Sequence, residues 1–195
     1  ALLHYLGARW DSRWLQFAIE VADAMQARFE DHGNGGFFFS DEAVEVPMTR
    51  SMIFQDDATP AGNALAASAM ARLGHLLAEP RYLQSMDRCL RRSLGPIVQA
   101  PAGHARMLPV LREAVTPSPH VVIAGADHGR CKALKAWVDS RYRVDCYLIE
   151  PTQDALPGML DAYRSSEPVT AWLCRGTQCL PAVRTEDELK RLLDC

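Results

Sequence analysis

A chain of 195 residues, 48% of them hydrophobic, is long enough to bury a substantial core, as one medium domain or two small ones. The formal charge of −3 and pI near 6.1 come without a dense Lys/Arg run, Arg88, Arg91 and Arg92 making the closest approach to one, so a nucleic-acid partner is disfavoured. Charge or proline breaks every apolar stretch before the roughly 18 residues of a membrane span, and the first residues lack a basic-then-apolar signal pattern; a cytoplasmic protein without a membrane partner is expected.

The chain opens on Ala1-Leu2-Leu3-His4-Tyr5-Leu6, with no initiator Met and the apolar character of a helix interior. This reads as a piece of something longer. From Ser12 to about Asp31, Trp14, Ala18, Val21, Met25 and Phe29 recur at helical spacing. Leu15, Ile19 and Ala22 widen the stripe, Asp11 or Ser12 can cap its start, and Gly33 stands where a left-handed stop is needed. Gly35 and Gly36 then permit tight turning before Phe37, Phe38 and Phe39. Phe37 and Phe39 are expected to pack inward while Phe38 covers a neighbour, with the lining of a cavity as the alternative. Asp41, Glu42 and Glu45 suit a solvated loop.

The stretch Asp56-Asp57-Ala58-Thr59-Pro60-Ala61-Gly62-Asn63 leads into an alanine-rich helix, with Thr59 as its N-cap and Pro60 in its first turn. The alanines allow close approach of a neighbour, and Leu65, Leu73, Leu76 and Leu77 supply bulk. A second helix runs from Pro80 to about Leu94 with Leu83, Met86, Leu90 and Leu94 on one face, stopped by Gly95-Pro96, and the two form an αα-hairpin. A shorter piece from His104 to Ala114 is interrupted by Pro109, and Thr116-Pro117-Ser118-Pro119 is a linker.

After the linker the period changes. His120–Gly125 and Val144–Ile149 read as strands around a helix from Arg130 to Tyr142, a βαβ unit. Val169–Cys174 is a third strand, and Thr185-Glu186-Asp187-Glu188 is a capping box opening a helix through Leu193. The expected fold is therefore mixed α and α/β: helical hairpins over 1–115, then a small βαβ-containing lobe over 120–195.

Six cysteines, Cys89, Cys131, Cys146, Cys174, Cys179 and Cys195, include no Cys-x-x-Cys pair. Reduced, partly buried thiols are expected. Cys174 and Cys179 could meet across a hairpin, which makes them the redox candidates.

Gly35-Gly36-Phe37, Asp56-x-Ala58-x-Pro60-x-Gly62-Asn63, the Val121-Val122-Ile123 strand and Cys174-x4-Cys179-x-Pro181 together resemble the carboxyl-terminal part of the spermatogenesis-associated protein 20 family. That resemblance implies a thioredoxin-like amino-terminal domain, absent here, preceding an α/α toroid like those of six-hairpin glycosidases, with a small α/β piece near the end. The family's activity is poorly defined. Two points depart from its pattern: Asp57 stands where glycine is common, and Ala61 where serine is. The implied function is that of a fragment of a thioredoxin-domain protein whose toroid binds or acts on a carbohydrate-like ligand, the fragment alone being inactive. The alternative is a noncatalytic scaffold or partner-binding module. Helices cut from a closed toroid would also leave apolar faces that self-associate.

Within a toroid, Gly36, Phe37, Asp56, Asp57 and Asn63 would face the central funnel and are the candidate ligand contacts. A glycosidase needs two carboxyl groups about 5 to 9.5 Å apart across the scissile bond. Adjacent aspartates diverge, so for Asp56 and Asp57 helix capping leads, ligand contact comes second and acid-base catalysis third. Asn63 would waste its hydrogen-bonding capacity in an alanine-rich helix unless it braces the Gly36 loop or meets a ligand; bracing is favoured. His75 and His104 are the nearest candidates for a general base. Gly125-Ala126-Asp127-His128-Gly129 has the wrong glycine spacing for a dinucleotide loop and reads as a plain βα turn. With no P-loop, metal-ligand cluster or Gly-x-Ser-x-Gly elbow, no cofactor and no metal are expected.

Overall fold

The computed structural model describes residues 2–44, 49–141, 144–150 and 155–193, and these form helices and a four-stranded sheet in two compact units. One unit comprises residues 1–16, 75–78 and 117–195, the other residues 17–74 and 79–116. Glu45, Tyr142 and Cys195, expected as a loop residue, a helix end and a thiol, lie outside the described residues. Among the described residues no helix is long and apolar enough to cross a membrane. The mixed α and α/β class is as expected.

The first unit is built on the sheet β1 (Pro119–Ala124), β2 (Asp145–Leu148), β3 (Thr170–Arg175) and β4 (Gln178–Cys179), ordered β2-β1-β3-β4. β1 runs parallel to β2 and antiparallel to β3, with Val121 opposite Cys146 and Leu173. A central strand covered on both faces reads as an unbroken apolar run, and β1 is buried from His120 to Ala124. Val121, Ile123, Cys146, Leu148, Ala171 and Leu173 share one face with Cys131, Leu134 and Val138 of α6 (His128–Asp139) and Leu189 of α7 (Glu186–Leu193). On the other face α1 (Leu2–Ala8) packs on β2, and Trp10 meets Tyr147 edge-on with 6.5 Å between ring centroids. The capping box forms as expected: Glu188 N–H donates to Thr185 Oγ1 at 3.2 Å while Glu188 Oε2 accepts the Thr185 N–H. β4, expected only as a possible hairpin arm, follows a two-residue turn in which Gly176 holds φ 61°, the position a type II′ turn reserves for glycine.

The helical unit contains most of α2 (Ser12–Phe29) and α3 (Gly62–Leu77), all of α4 (Pro80–Gln99) and α5 (Leu108–Val115), and a 3₁₀ turn at Pro101–His104. Several boundaries differ from the sequence-based expectation. The buried face of α2 is Leu15, Ala18 and Ala22, whereas Trp14 and Val21 are 42% and 39% exposed, because small side chains turned inward allow closer packing. The chain stops not at a left-handed Gly33 but through Asp31, whose Oδ1 accepts the N–H groups of Gly33 and Asn34; Gly35 and Gly36 take the positive φ. Phe37 is buried, but Phe39 is 79% exposed, and Arg50 covers the Phe38 ring at 4.1 Å. Asp41 is buried rather than solvated, paired with Arg28.

α3 begins at Gly62, after Thr59 and Pro60, and Leu65 points outward. α4 continues through Gly95-Pro96 to Gln99. Proline in the final turn forfeits one intrahelical bond while its own carbonyl still accepts the Ala100 N–H at 3.0 Å, so the helix survives it. Its buried face is Tyr82, Ser85, Met86, Cys89, Leu90, Ser93 and Ile97, so Met86 and Leu90 lie inward as expected while Leu94 is outside. Pro109 opens α5 instead of interrupting it.

Candidate functional site

Asn63 is the centre of the polar constellation in the helical unit. Residues Glu30 and Phe37 pair as an isolated antiparallel bridge, flanked by Asp31 N–H to Gly36 O at 2.9 Å and Phe38 N–H to Phe29 O at 2.8 Å. That pattern leaves the N–H and C=O of Phe37 directed away from Glu30. The Asn63 carboxamide takes both: its Oδ1 accepts the Phe37 N–H at 2.6 Å and its Nδ2 donates to Phe37 O at 2.9 Å. Nδ2 also donates to Ile53 O at 2.9 Å, and the Cys89 thiol approaches Oδ1 at 3.5 Å. A buried amide thus finds partners for both donors and for its acceptor.

Gly36 makes this clasp possible. Its φ of 89° suits glycine, and a Cβ there would lie 2.6 Å from Met52 Sδ and 2.7 Å from Phe54 Cζ. Gly35 is confined in the same way, since a Cβ would lie 2.3 Å from Arg88 O.

Asp56 closes the next turn of chain. Its Oδ1 accepts the Ala61 N–H and its Oδ2 the Arg106 N–H, each at 2.8 Å, while its own N–H donates to Gly103 O at 2.8 Å. Asp56 thereby caps the approach to α3, the role expected of Thr59, and ties it to the 3₁₀ turn. The Ala61 amide, then the Arg106 amide, hold its carboxyl below the usual range, and the nearby His104 and Arg106 side chains favour the same direction more weakly. His104 is buried, with Nδ1 2.9 Å from Ala100 O. Asp57 is exposed, its N–H donating to Thr59 O at 3.1 Å. Gly36, Phe37, Asp56, Asn63 and His104 therefore stand in one unit, whereas His75 belongs to the other.

A second polar cluster in the helical unit was not foreseen. The Glu30 carboxylate is fully buried, accepting Ser85 Oγ at 2.7 Å and Arg88 through Nε at 3.0 Å and Nη2 at 2.5 Å. Burying a carboxylate is tolerated because a guanidinium and a hydroxyl replace its hydration. The detectable signal was the polar stripe Ser85, Cys89 and Ser93 at helical spacing along α4. Burial pushes the Cys89 thiol up to about 12, which makes it inert.

In the other unit the βα turn after β1 commits its leading N–H groups to protein partners. Ala126 N–H donates to Glu167 O and Asp127 N–H to Pro168 O, and the Asp127 carboxylate accepts the Arg130 N–H as the cap of α6. A cleft of about 280 Å³ opens at the carboxyl ends of β1 and β2, lined by Ala124, Gly125, Ile149, Glu150, Tyr163 and Ser165 among others. Cys174 and Cys179, paired in register between β3 and β4, are joined as a disulfide, which corrects the expectation of reduced thiols; Cys89, Cys131 and Cys146 are free and buried. Among the described residues no group of three or more His, Cys, Asp or Glu is placed to hold a metal ion.

Fold and geometry define a helical body and a mixed-sheet body whose polar groups chiefly brace backbone. No protein-family model matches the chain. Over 98% of its length, however, it is similar to spermatogenesis-associated protein 20 of Homo sapiens, 26% identical over 204 residues, and of Rattus norvegicus, 26% identical over 205. The Mus musculus protein of the same name is 25% identical over 205 residues. The chain is homologous to these proteins, as its motifs between Gly35 and Pro181 implied. It spans about a quarter of their length, 26% of the human protein.

Proposed function

We propose that the chain is one part of a larger protein in which the helical unit, a segment of an α/α toroid, is a noncatalytic scaffold or partner-binding module for a thioredoxin-like redox domain. The observation that supports this reading is the commitment of the site's polar groups. Both Asp56 oxygens accept backbone N–H groups, and both Asn63 N–H groups are donated to backbone carbonyls. An acid-base catalyst must exchange protons with a substrate, and a carboxyl held below its usual range by two amides is poorly suited to that.

The competing reading, a carbohydrate-like ligand at the same loop, rests on the exposed Asp57. Titration of the full-length protein with a panel of mono- and oligosaccharides, followed by calorimetry, separates the two. Under the scaffold reading no sugar gives saturable heat. Saturable binding that Asp57→Asn weakens, with the fold intact, would replace it with the ligand reading.

A further inference from the structure

Cys174 and Cys179 differ in access. Cys174 is fully buried, whereas Cys179, across the hairpin, is partly exposed. The phenol of Tyr163 lies over the pair, its oxygen 2.8 Å from Cys179 Sγ and 3.5 Å from Cys174 Sγ. Tyr163 is itself fixed: its ring packs against Trp172 of β3 at 4.9 Å, and it ends a 3₁₀ turn, Gly158–Tyr163. That turn starts at a glycine with φ 62°, where a Cβ would lie 2.4 Å from Leu77 O. A phenol O–H held near both sulfurs is placed to donate to either one when that sulfur carries charge.

We propose that Cys174–Cys179 is a thiol–disulfide exchange site that accepts electrons from an external dithiol, with Tyr163 as the positioning residue that stabilises the leaving sulfur. The dithiol's thiolate bonds to the accessible Cys179 Sγ. The Cys174–Cys179 bond breaks and its electron pair leaves on Cys174 Sγ, to which the Tyr163 O–H donates a hydrogen bond. The donor's second thiol, deprotonated, attacks its partner sulfur in the mixed disulfide and releases Cys179 as thiolate. The two protons lost by the dithiol end on Cys174 and Cys179; the protein disulfide is reduced and the dithiol becomes a disulfide. Burial pushes the Tyr163 phenol up to about 12, which keeps it a donor throughout. This inference does not depend on the scaffold reading of the helical unit.

Dithiothreitol serves as the dithiol. The native chain is exposed to it for increasing times, quenched in acid, then unfolded in guanidinium with N-ethylmaleimide, and each cysteine's labelling is read by peptide mass spectrometry beside circular dichroism of the unquenched sample. The expected result is that Cys89, Cys131 and Cys146 are labelled from zero time, whereas Cys174 and Cys179 become labelled together with time of exposure, without loss of structure before the quench. Oxidised dithiothreitol reverses it. Tyr163→Phe retains the ring but slows reduction by about tenfold, and the difference vanishes when both proteins are unfolded in guanidinium. Reduction only in step with unfolding, labelling of both sulfurs after air oxidation, or an unchanged rate in Tyr163→Phe would each overturn the proposal. Should Tyr163→Phe not fold, single-cysteine variants decide: Cys174→Ser leaves Cys179 to form a mixed disulfide with oxidised glutathione quickly, and Cys179→Ser leaves Cys174 unreactive. Equal reactivity of the two would overturn it.

Discussion

Asn63 spends a whole side chain on backbone groups, and its loss is correspondingly costly. Asn63→Ala leaves the Phe37 N–H and C=O and the Ile53 C=O without their partner. We expect a loss of about 2 to 4 kcal/mol, read as a lower urea midpoint with unchanged slope. Asp56 acts through the same economy but with a pH signature. Its folded pKa lies below the ordinary 3.8, so its contribution is complete above that value and disappears as pH falls through the lower folded one. Asp56→Asn should therefore be less stable than the parent near neutral pH, and the gap between their urea midpoints should close below about pH 3.8. A gap that stays constant with pH would show that the charge is irrelevant. That Asn63 needs partners was legible in the sequence, since a carboxamide is an inefficient choice in an alanine-rich helix. Which groups answer it was not, because Phe37 lies 26 residues away.

Helix ends were the least legible features of the elements. Gly95-Pro96 is a strong stop signal, yet α4 passes through it because the pair falls in a last turn, where lost hydrogen bonds are few. Two glycines, one in α3 and one in α4, make opposite predictions. A Cβ on Gly95 meets nothing within 4 Å, so Gly95→Ala should stabilise by about 0.5 to 1 kcal/mol by restricting the unfolded chain. A Cβ on Gly74 would lie 2.7 Å from Leu83 Cδ2 and 3.2 Å from Leu83 N, so Gly74→Ala should destabilise by about 1 to 3 kcal/mol. Thermal melts of the two variants should move in opposite directions. Gly74 lies directly against Leu83, a contact that helical periodicity alone does not reveal.

At the scale of the whole molecule the surface keeps large apolar side chains in water. Val98 is 80% exposed, Phe39 79% and Val115 76%. Exposed apolar groups favour association when they can be covered, so sedimentation velocity over a wide concentration range should show reversible self-association that Val98→Lys and Val115→Lys weaken. A single monomeric boundary at every concentration would contradict this. Residues 1–16 group with the α/β unit that begins a hundred residues later, an arrangement that rests on packing such as Trp10 against Tyr147.

The sequence by itself determined what depends on neighbours along the chain: the periods of the long helices, the βαβ pattern, the capping box at Thr185, and the spaced motifs that tie the chain to its homologues. Tertiary structure alone decided what depends on groups distant in sequence. It turned Asp56 and Asn63 toward backbone partners, buried Glu30 beneath Ser85 and Arg88, and set Tyr163 over the Cys174–Cys179 pair. The physical reason is the same each time. A polar group removed from water must find a partner, and the chain's path through space, rather than its local composition, brings that partner within reach.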